Sequence, residues 1–375
     1  SLHVLEPQQE GPLLRVYMCR VSAERFYSNG VVAASKKSKK KQPQYNCRVG
    51  LLLGTIQRER VDQRPKKART SLSSQTADSE YCTVAKVQAI WEPPGQHPSS
   101  DKLYDAKLAA SLLAEDKKRM KTIADRLGLV PVGWIFSYRD DRLEENNSFS
   151  TEGPQALFGL DVALGSKLKI QNMKDRRADN EDDVDLQGDR FVTLAMDATT
   201  GATEAFQLSD VCVQMVHEDL FQKVTSGDAA SANANPPVVP TRHAVLVDGR
   251  ETKLLDSVLC LVNTAVLSHV GSYSGDATSS SIAVKKINGS LTNKTKKILL
   301  KALESSDAND FLKEICDFNV LLALDQLLAH ASKGGEHEAD MDKLCGLVRK
   351  WARGQKKGTA IDSKFKRKIQ TYLST

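Results

Sequence analysis

The run "CRVGLLLGTI", Cys47 to Ile56, sets the tightest limit on the fold. Its apolar residues follow one another without alternation, so a strand built from it has no face for water and is buried on both sides. "CTVAKVQAIW", Cys82 to Trp91, alternates better, with Val84 and Ile90 among its apolar positions, and it stops at "EPP" because Pro93 and Pro94 cannot donate to a ladder. Around Asp116 to Leu127 the spacing of Met120, Ile123 and Leu127 predicts one face of a helix, and Gly128 suits the position just past its end. "GLVPVGWIFSYRDDR", Gly128 to Arg142, follows directly as the next strand. A further strand, "RFVTLAMD", turns back through "ATEAFQLS" into the helix "DVCVQMVHEDLF", for which Ser209 is the N-cap. Strands alternating with helices in this order make an α/β domain.

Three polar insertions interrupt this domain: basic Ser35 to Gln44, basic and serine-rich Arg64 to Glu80, and acidic Asp175 to Asp189. They bury too little apolar surface to offset the entropy of ordering them and read as solvated loops, the two basic ones being also candidate nuclear-import signals. "TSGDAASANANPPVVPT" is the clearest linker, being small, polar and proline-bearing. The expected division is therefore an α/β domain over 1–224, a linker over 225–241 and a smaller, mainly helical region over 242–375. Within the last, one apolar segment runs from Leu254 to Val270, and helices are expected near Asn293 to Leu303, Asp307 to His330, Met341 to Gly354 and Ser363 to Leu373.

With 53 basic and 47 acidic residues, the formal charge of +6 provides no general polyanion-binding surface, and partners must be sought locally. Seven cysteines without a C-x-x-C pair suit neither a disulfide framework nor a thiolate zinc site, and point to a reducing compartment. No apolar run reaches the roughly 20 residues of a membrane span.

On the residues "RVGLLLG", "VQAIWEPP" and "LGLVPVGWIFS", the first domain resembles the MPN fold, a mixed sheet with flanking helices. It resembles more closely the nuclear protein localization 4 family, adaptors of the Cdc48-type AAA+ unfoldase, which similarly place "EPP" after the second core strand and "VGWIF" on the strand after the helix. "DRFVTLAMDATTGATEAFQLSDVCVQMVHEDLF" is similar to that family's later strand pair and helix. The resemblance covers Ala23 to Phe221 well and Pro236 to Leu267 weakly.

An MPN metallopeptidase presents two histidines two apart on one strand, both imidazoles facing one Zn²⁺, with a downstream aspartate and a glutamate as general base. Here the histidine positions hold Phe136 and Tyr138, and the counterpart of the glutamate is Cys47, so these three are vestigial metal-site positions. "SFSTEGPQ" has no aspartate at the expected step, and no histidine lies between His97 and His217. The seven histidines show no H-x-H or H-E-x-x-H spacing, and P-loop, G-x-G-x-x-G and G-x-S-x-G motifs are missing. The expectation is a protein that is not an enzyme, with no catalytic residue, metal or cofactor.

What the resemblance implies is binding. The groove in which active relatives hold an extended ubiquitin tail would be lined here by Trp91, Pro93 and Pro94 at one end and by Ile135, Phe136 and Tyr138 at the other. Trp134 is expected as a core aromatic, Phe136 is open between core and groove, and Tyr138, preceding the polar "RDDR", is expected at the surface. The implied partners are polyubiquitin chains, the Cdc48-type unfoldase and its ubiquitin fusion degradation partner adaptor, in proteasomal and ER-associated degradation, with neither nucleic acid binding nor membrane insertion. The implied location is cytoplasmic and nuclear, with recruitment to the ER surface. The family's ubiquitin-like module and zinc-binding segments are not visible in this sequence, where only Cys19 precedes the first core strand. The alternative is a metal-free MPN scaffold subunit of the proteasome-lid or translation-initiation type.

Overall fold

A computed structural model of the chain describes residues 3–32, 44–60, 81–93, 104, 116–139, 159–179, 190–222, 238–275, 291–305, 307–331, 336–355 and 361–374. In chain order the elements of its first part are β1 (Val4–Leu5), β2 (Arg15–Cys19), α1 (Arg20–Gly30), β3 (Val31–Val32), β4 (Gln44–Tyr45), β5 (Val49–Arg60), β6 (Tyr81–Trp91), α2 (Asp116–Leu127), β7 (Val130–Tyr138), α3 (Gly159–Asp179), β8 (Val192–Asp197), β9 (Thr203–Leu208) and α4 (Asp210–His217). Three strands follow, β10 (Val238–Val247), β11 (Arg250–Asp256) and β12 (Leu261–His269), and then five helices, α5 (Asn293–Glu304), α6 (Ala308–Ile315), α7 (Phe318–Ala331), α8 (Glu336–Ala352) and α9 (Ser363–Ser374). None of the described helices is long and apolar enough to cross a membrane.

Seven strands close into a barrel in the order β12-β2-β6-β5-β7-β8-β9, and β9 pairs back onto β12 with Leu208 opposite Leu261. The pairing is mixed: β5 is antiparallel to both β6 and β7, whereas β7 runs parallel to β8 and β2 parallel to β6 and β12. Leu52 of the opening run packs with Val16, Val87, Ile135 and Leu194 and with Phe26 of α1, while its neighbours Leu51 and Leu53 join the cluster on the other face. Both faces of β5 are thus apolar surroundings, which is the physical reason the run does not alternate. Where strands approach most closely a side chain has no room: a Cβ on Gly54 would stand 2.2 Å from the Lys86 carbonyl oxygen, beside the bulge at Leu53/Gly54.

The expected mixed α/β organisation with flanking helices and helices at the C-terminal end is present, but the expected division at 225–241 does not describe the sheet. Residue 238 already begins β10, and 242–375 opens with strands rather than helices, of which β12 completes the barrel that the first part builds. Nor is the helical part a separate core. Phe311, Phe318, Leu344, Phe365 and Ile369 belong to one continuous apolar cluster with Met120 and Ile123 of α2 and Trp134 of β7. Polar contacts reinforce the seam, since Arg25 of α1 pairs with Asp317 at 2.7 Å and donates to the Ser274 carbonyl at 2.8 Å.

Other elements differ in detail. The helix expected over Asp307 to His330 is two, because Asp317 interrupts it and caps α7, accepting from Asn319 N at 2.8 Å. The acidic insertion begins inside α3, where Asp175 accepts from Lys117 at 2.5 Å, and its remainder from 180 lies outside the described residues. Both basic insertions lie outside them too, apart from Gln44. The Ser209 cap is as the sequence predicts, accepting from Cys212 N, and Gly128 ends α2 at φ 73°.

Candidate functional site

Of the three positions expected from the sequence to be vestigial metal positions, Phe136 and Tyr138 lie on β7, whose placement depends on glycine, and Cys47 just precedes β5. A Cβ on Gly133 would stand 2.2 Å from the Val192 carbonyl oxygen, so only glycine lets β7 and β8 pair here. From that point the strand alternates. Ile135 turns into the barrel interior, whereas Trp134, Phe136 and Tyr138 turn to the helix-covered face. There α3 closes over them, and Gly165 makes room, since a Cβ would stand 3.1 Å from Trp134 Nε1. That nitrogen donates to Thr193 Oγ1 at 2.9 Å, so the indole is both packed and satisfied.

The structure brings the three vestigial positions together. Val49 lies opposite Phe136, and the ladder continues past the strand end: Ser137 N donates to the Arg48 carbonyl at 2.8 Å and Arg48 N to Ser137 Oγ at 2.7 Å. This register puts Cys47 next to Tyr138. Phe136 stacks at a tilt on Trp134, centroids 5.1 Å apart, and lies 6.4 Å from the Tyr138 ring. A thiol, a phenyl and a phenol therefore meet at one corner of the sheet. Neither ring can ligate through nitrogen, and Cys47 is only 6% exposed. Among the described residues, no group of three or more His, Cys, Asp or Glu is placed to hold a metal ion.

Burial corrects the groove expected from the sequence. Phe136 and Ile135 are fully enclosed, Trp91 is 2% exposed and Tyr138 8% exposed, so neither end presents an aromatic surface. Tyr138 stays inside because β7 remains paired to β8 through its last residue, with Tyr138 opposite Asp197, so the chain has not yet left the core where the polar residues begin. Pro93 is buried, and Pro94 lies outside the described residues. Between Trp91 and Pro93, Glu92 accepts from Arg48 Nε at 2.6 Å and from Asn29 Nδ2 of α1 at 2.8 Å. Through Glu92, the stretch from Trp91 to Pro93 is thus a clasp fastening the end of β6 to α1 and to the start of β5.

Sequence reasoning passed over two further members of this corner. Tyr104 packs its ring 5.3 Å from Phe136 and edge-on to Trp134, and its hydroxyl donates to Asp161 Oδ1 at 2.8 Å. Asp161, in the first turn of α3, is fully buried. The available signal was an acid at the start of an apolar helix, where the helix dipole and the free N–H groups favour it. All seven thiols are free, and burial pushes Cys316 and Cys345 up to about 12.

Comparison with known proteins follows the same residues. Residues 81–236, from β6 through α4, match the NPL4 family. NPL4-like protein 2 of Arabidopsis thaliana is 24% identical over 246 residues, which is 65% of this chain and 51% of that protein. NPL4-like protein 1 of the same plant is 25% identical over an equal length and share. The chain spans about half the length of the curated relatives it matches. The family-matched segment holds β6, the aromatic strand β7 and the hairpin β8–β9, and over it the chain is similar to the NPL4 family.

Proposed function

We propose that this chain is a non-catalytic, ubiquitin-binding cofactor of a Cdc48-type AAA+ unfoldase, which delivers polyubiquitinated proteins for unfolding and degradation. The observation that carries the reading is the family-matched segment 81–236 with Phe136 and Tyr138 at the positions where a zinc peptidase has its histidines. On this reading the mixed barrel, with aromatic groups packed around Phe136, persists as a rigid support. It keeps the shape that handles ubiquitin and drops the chemistry that would cut it. Trp91, Pro93, Ile135, Phe136 and Tyr138 enter this reading as the framework beneath a binding surface, because they are buried. The partners are a polyubiquitin chain, the unfoldase and its ubiquitin fusion degradation adaptor.

The experiment is a pull-down of the purified chain with ubiquitin polymers of the degradation-signalling type, run beside monoubiquitin and beside the unfoldase hexamer. Retention of the polymers in preference to monoubiquitin is expected. If neither the polymers nor the unfoldase are retained, the adaptor reading fails. A zinc content near one per chain together with cleavage of the polymers would reinstate an enzyme.

A further inference from the structure

We infer that the paired helices α5 and α9 form a docking face for an acidic polypeptide segment. The two helices pack against each other through Leu299, Leu303, Phe365 and Ile369, which lie in the common core. Outward from that seam they carry Lys294, Lys296, Lys297 and Lys301 on α5 and Lys364, Lys366 and Arg367 on α9. Five of these, Lys294, Lys297, Lys301, Lys364 and Arg367, are exposed. Among the described residues none of the seven takes part in an ion pair, whereas nearby cations do: Lys343 with Asp362, and Lys368 with both Glu336 at 3.0 Å and Asp340 at 2.8 Å. Seven cations without an ion pair among the described residues thus stand together on two adjoining helices of a chain whose overall charge is modest.

The placement works against the fold. Neither helix has an acidic residue in its first turn, and cations cluster there instead, beside the positive end of the helix dipole. Lysines so near one another also repel. Local choices that disagree with local stability mark surfaces kept for another task. Lys294, Lys297 and Lys301 follow one another at helical spacing, over roughly 10 Å of axis, as carboxylates on an acidic segment would need.

The residue types favour a polypeptide. Six of the seven cations are lysine, a hydrated point charge, rather than arginine with its phosphate-matching fork. The exposed large apolar residues described include a single aromatic, Tyr81, which lies on β6, and Tyr372 of α9 is half-buried against the core, so no fully exposed ring on these helices offers bases a stacking platform. Carboxylates held by diffuse attraction fit best.

The test is fluorescence anisotropy of the whole chain with a labelled Glu-Glu-Ala repeat peptide, and separately with a DNA duplex of equal charge. The peptide is expected to bind at about 50 mM NaCl and to weaken about tenfold at about 300 mM. A variant with Lys294, Lys297, Lys301, Lys364 and Arg367 all changed to Gln should weaken binding about tenfold, with a melting temperature no lower than that of the wild type, because its helices lose an unfavourable charge. Failure of the peptide to bind at low salt, equal binding by the variant, or a drop in the variant's melting temperature would each overturn the inference. Tighter binding of the duplex than of the peptide would assign the face to nucleic acid and overturn it as well.

Discussion

At position 136 a phenyl ring sits at the centre of an aromatic group, and the surrounding rings depend on it. Phe136 touches Trp134, Tyr104 and Tyr138 with no water-accessible surface of its own. Phe136→Ala should cost about 3–5 kcal/mol, read as a lower urea midpoint at unchanged slope. A loss below about 1 kcal/mol would mean that the ring lines an open groove after all. Another residue-level consequence concerns His269, whose Nε2 donates to the Val87 carbonyl at 2.6 Å beside the Tyr17 ring. Burial lowers its pKa, the bond to Val87 opposes this, and Lys86 adds to the lowering, so the ring protonates below its ordinary value of about 6.5. The unfolded chain takes up that proton first. Stability is then fully present above about pH 6.5 and declines as pH falls toward the folded value. Denaturation midpoints near neutrality and near pH 5 should show this loss in the wild type and a smaller one in His269→Gln; equal losses would remove His269 as a cause. Neither role was legible in the sequence, since alternation places Phe136 and Tyr138 on one face without saying what covers that face.

Among the elements, the seam between α1 and α7 concentrates the most consequence in the fewest atoms. Asp317 is 3% exposed, pairs with Arg25 and caps α7. Asp317→Ala leaves a largely buried guanidinium without its partner and removes a cap, and should cost about 3–5 kcal/mol. Arg25→Ala should cost less, because the cap remains, and the double variant should lose less than the sum of the two. Additive losses in that cycle would show that the pair is not coupled. Elements differed in legibility for identifiable reasons. The ends of α2, β6 and α9 are set by local chemistry: a left-handed glycine, a proline pair and the onset of an apolar repeat. Helix α3 went unread because it is apolar and polar on most sides, buried between the barrel and its surroundings, with Ser166 and Lys169 inside. The break at Asp317 was masked by the apolar spacing of Ile315 and Phe318, which continues across it.

For the molecule as a whole, one apolar cluster joining barrel and helices predicts one unfolding event. Two of the three tryptophans, Trp91 and Trp134, lie in the barrel, so emission of a Trp351→Phe variant reports on the barrel alone, while far-ultraviolet circular dichroism weights the helices. The two urea curves should coincide. Separate midpoints would instead restore two independent units divided near the expected linker. By themselves the residues determined much of the strand and helix succession, the Ser209 cap, the glycine that ends α2 and the aromatic pair Phe136 and Tyr138 on one face of a strand, since each depends on chemistry within a few positions along the chain. Tertiary structure alone decided that β12 closes the barrel from beyond the linker, that the stretch from Trp91 to Pro93 is a clasp, and that the aromatic strand is core rather than groove. Those outcomes rest on contacts between residues far apart in sequence, and periodicity reports which faces are apolar, never what comes to cover them.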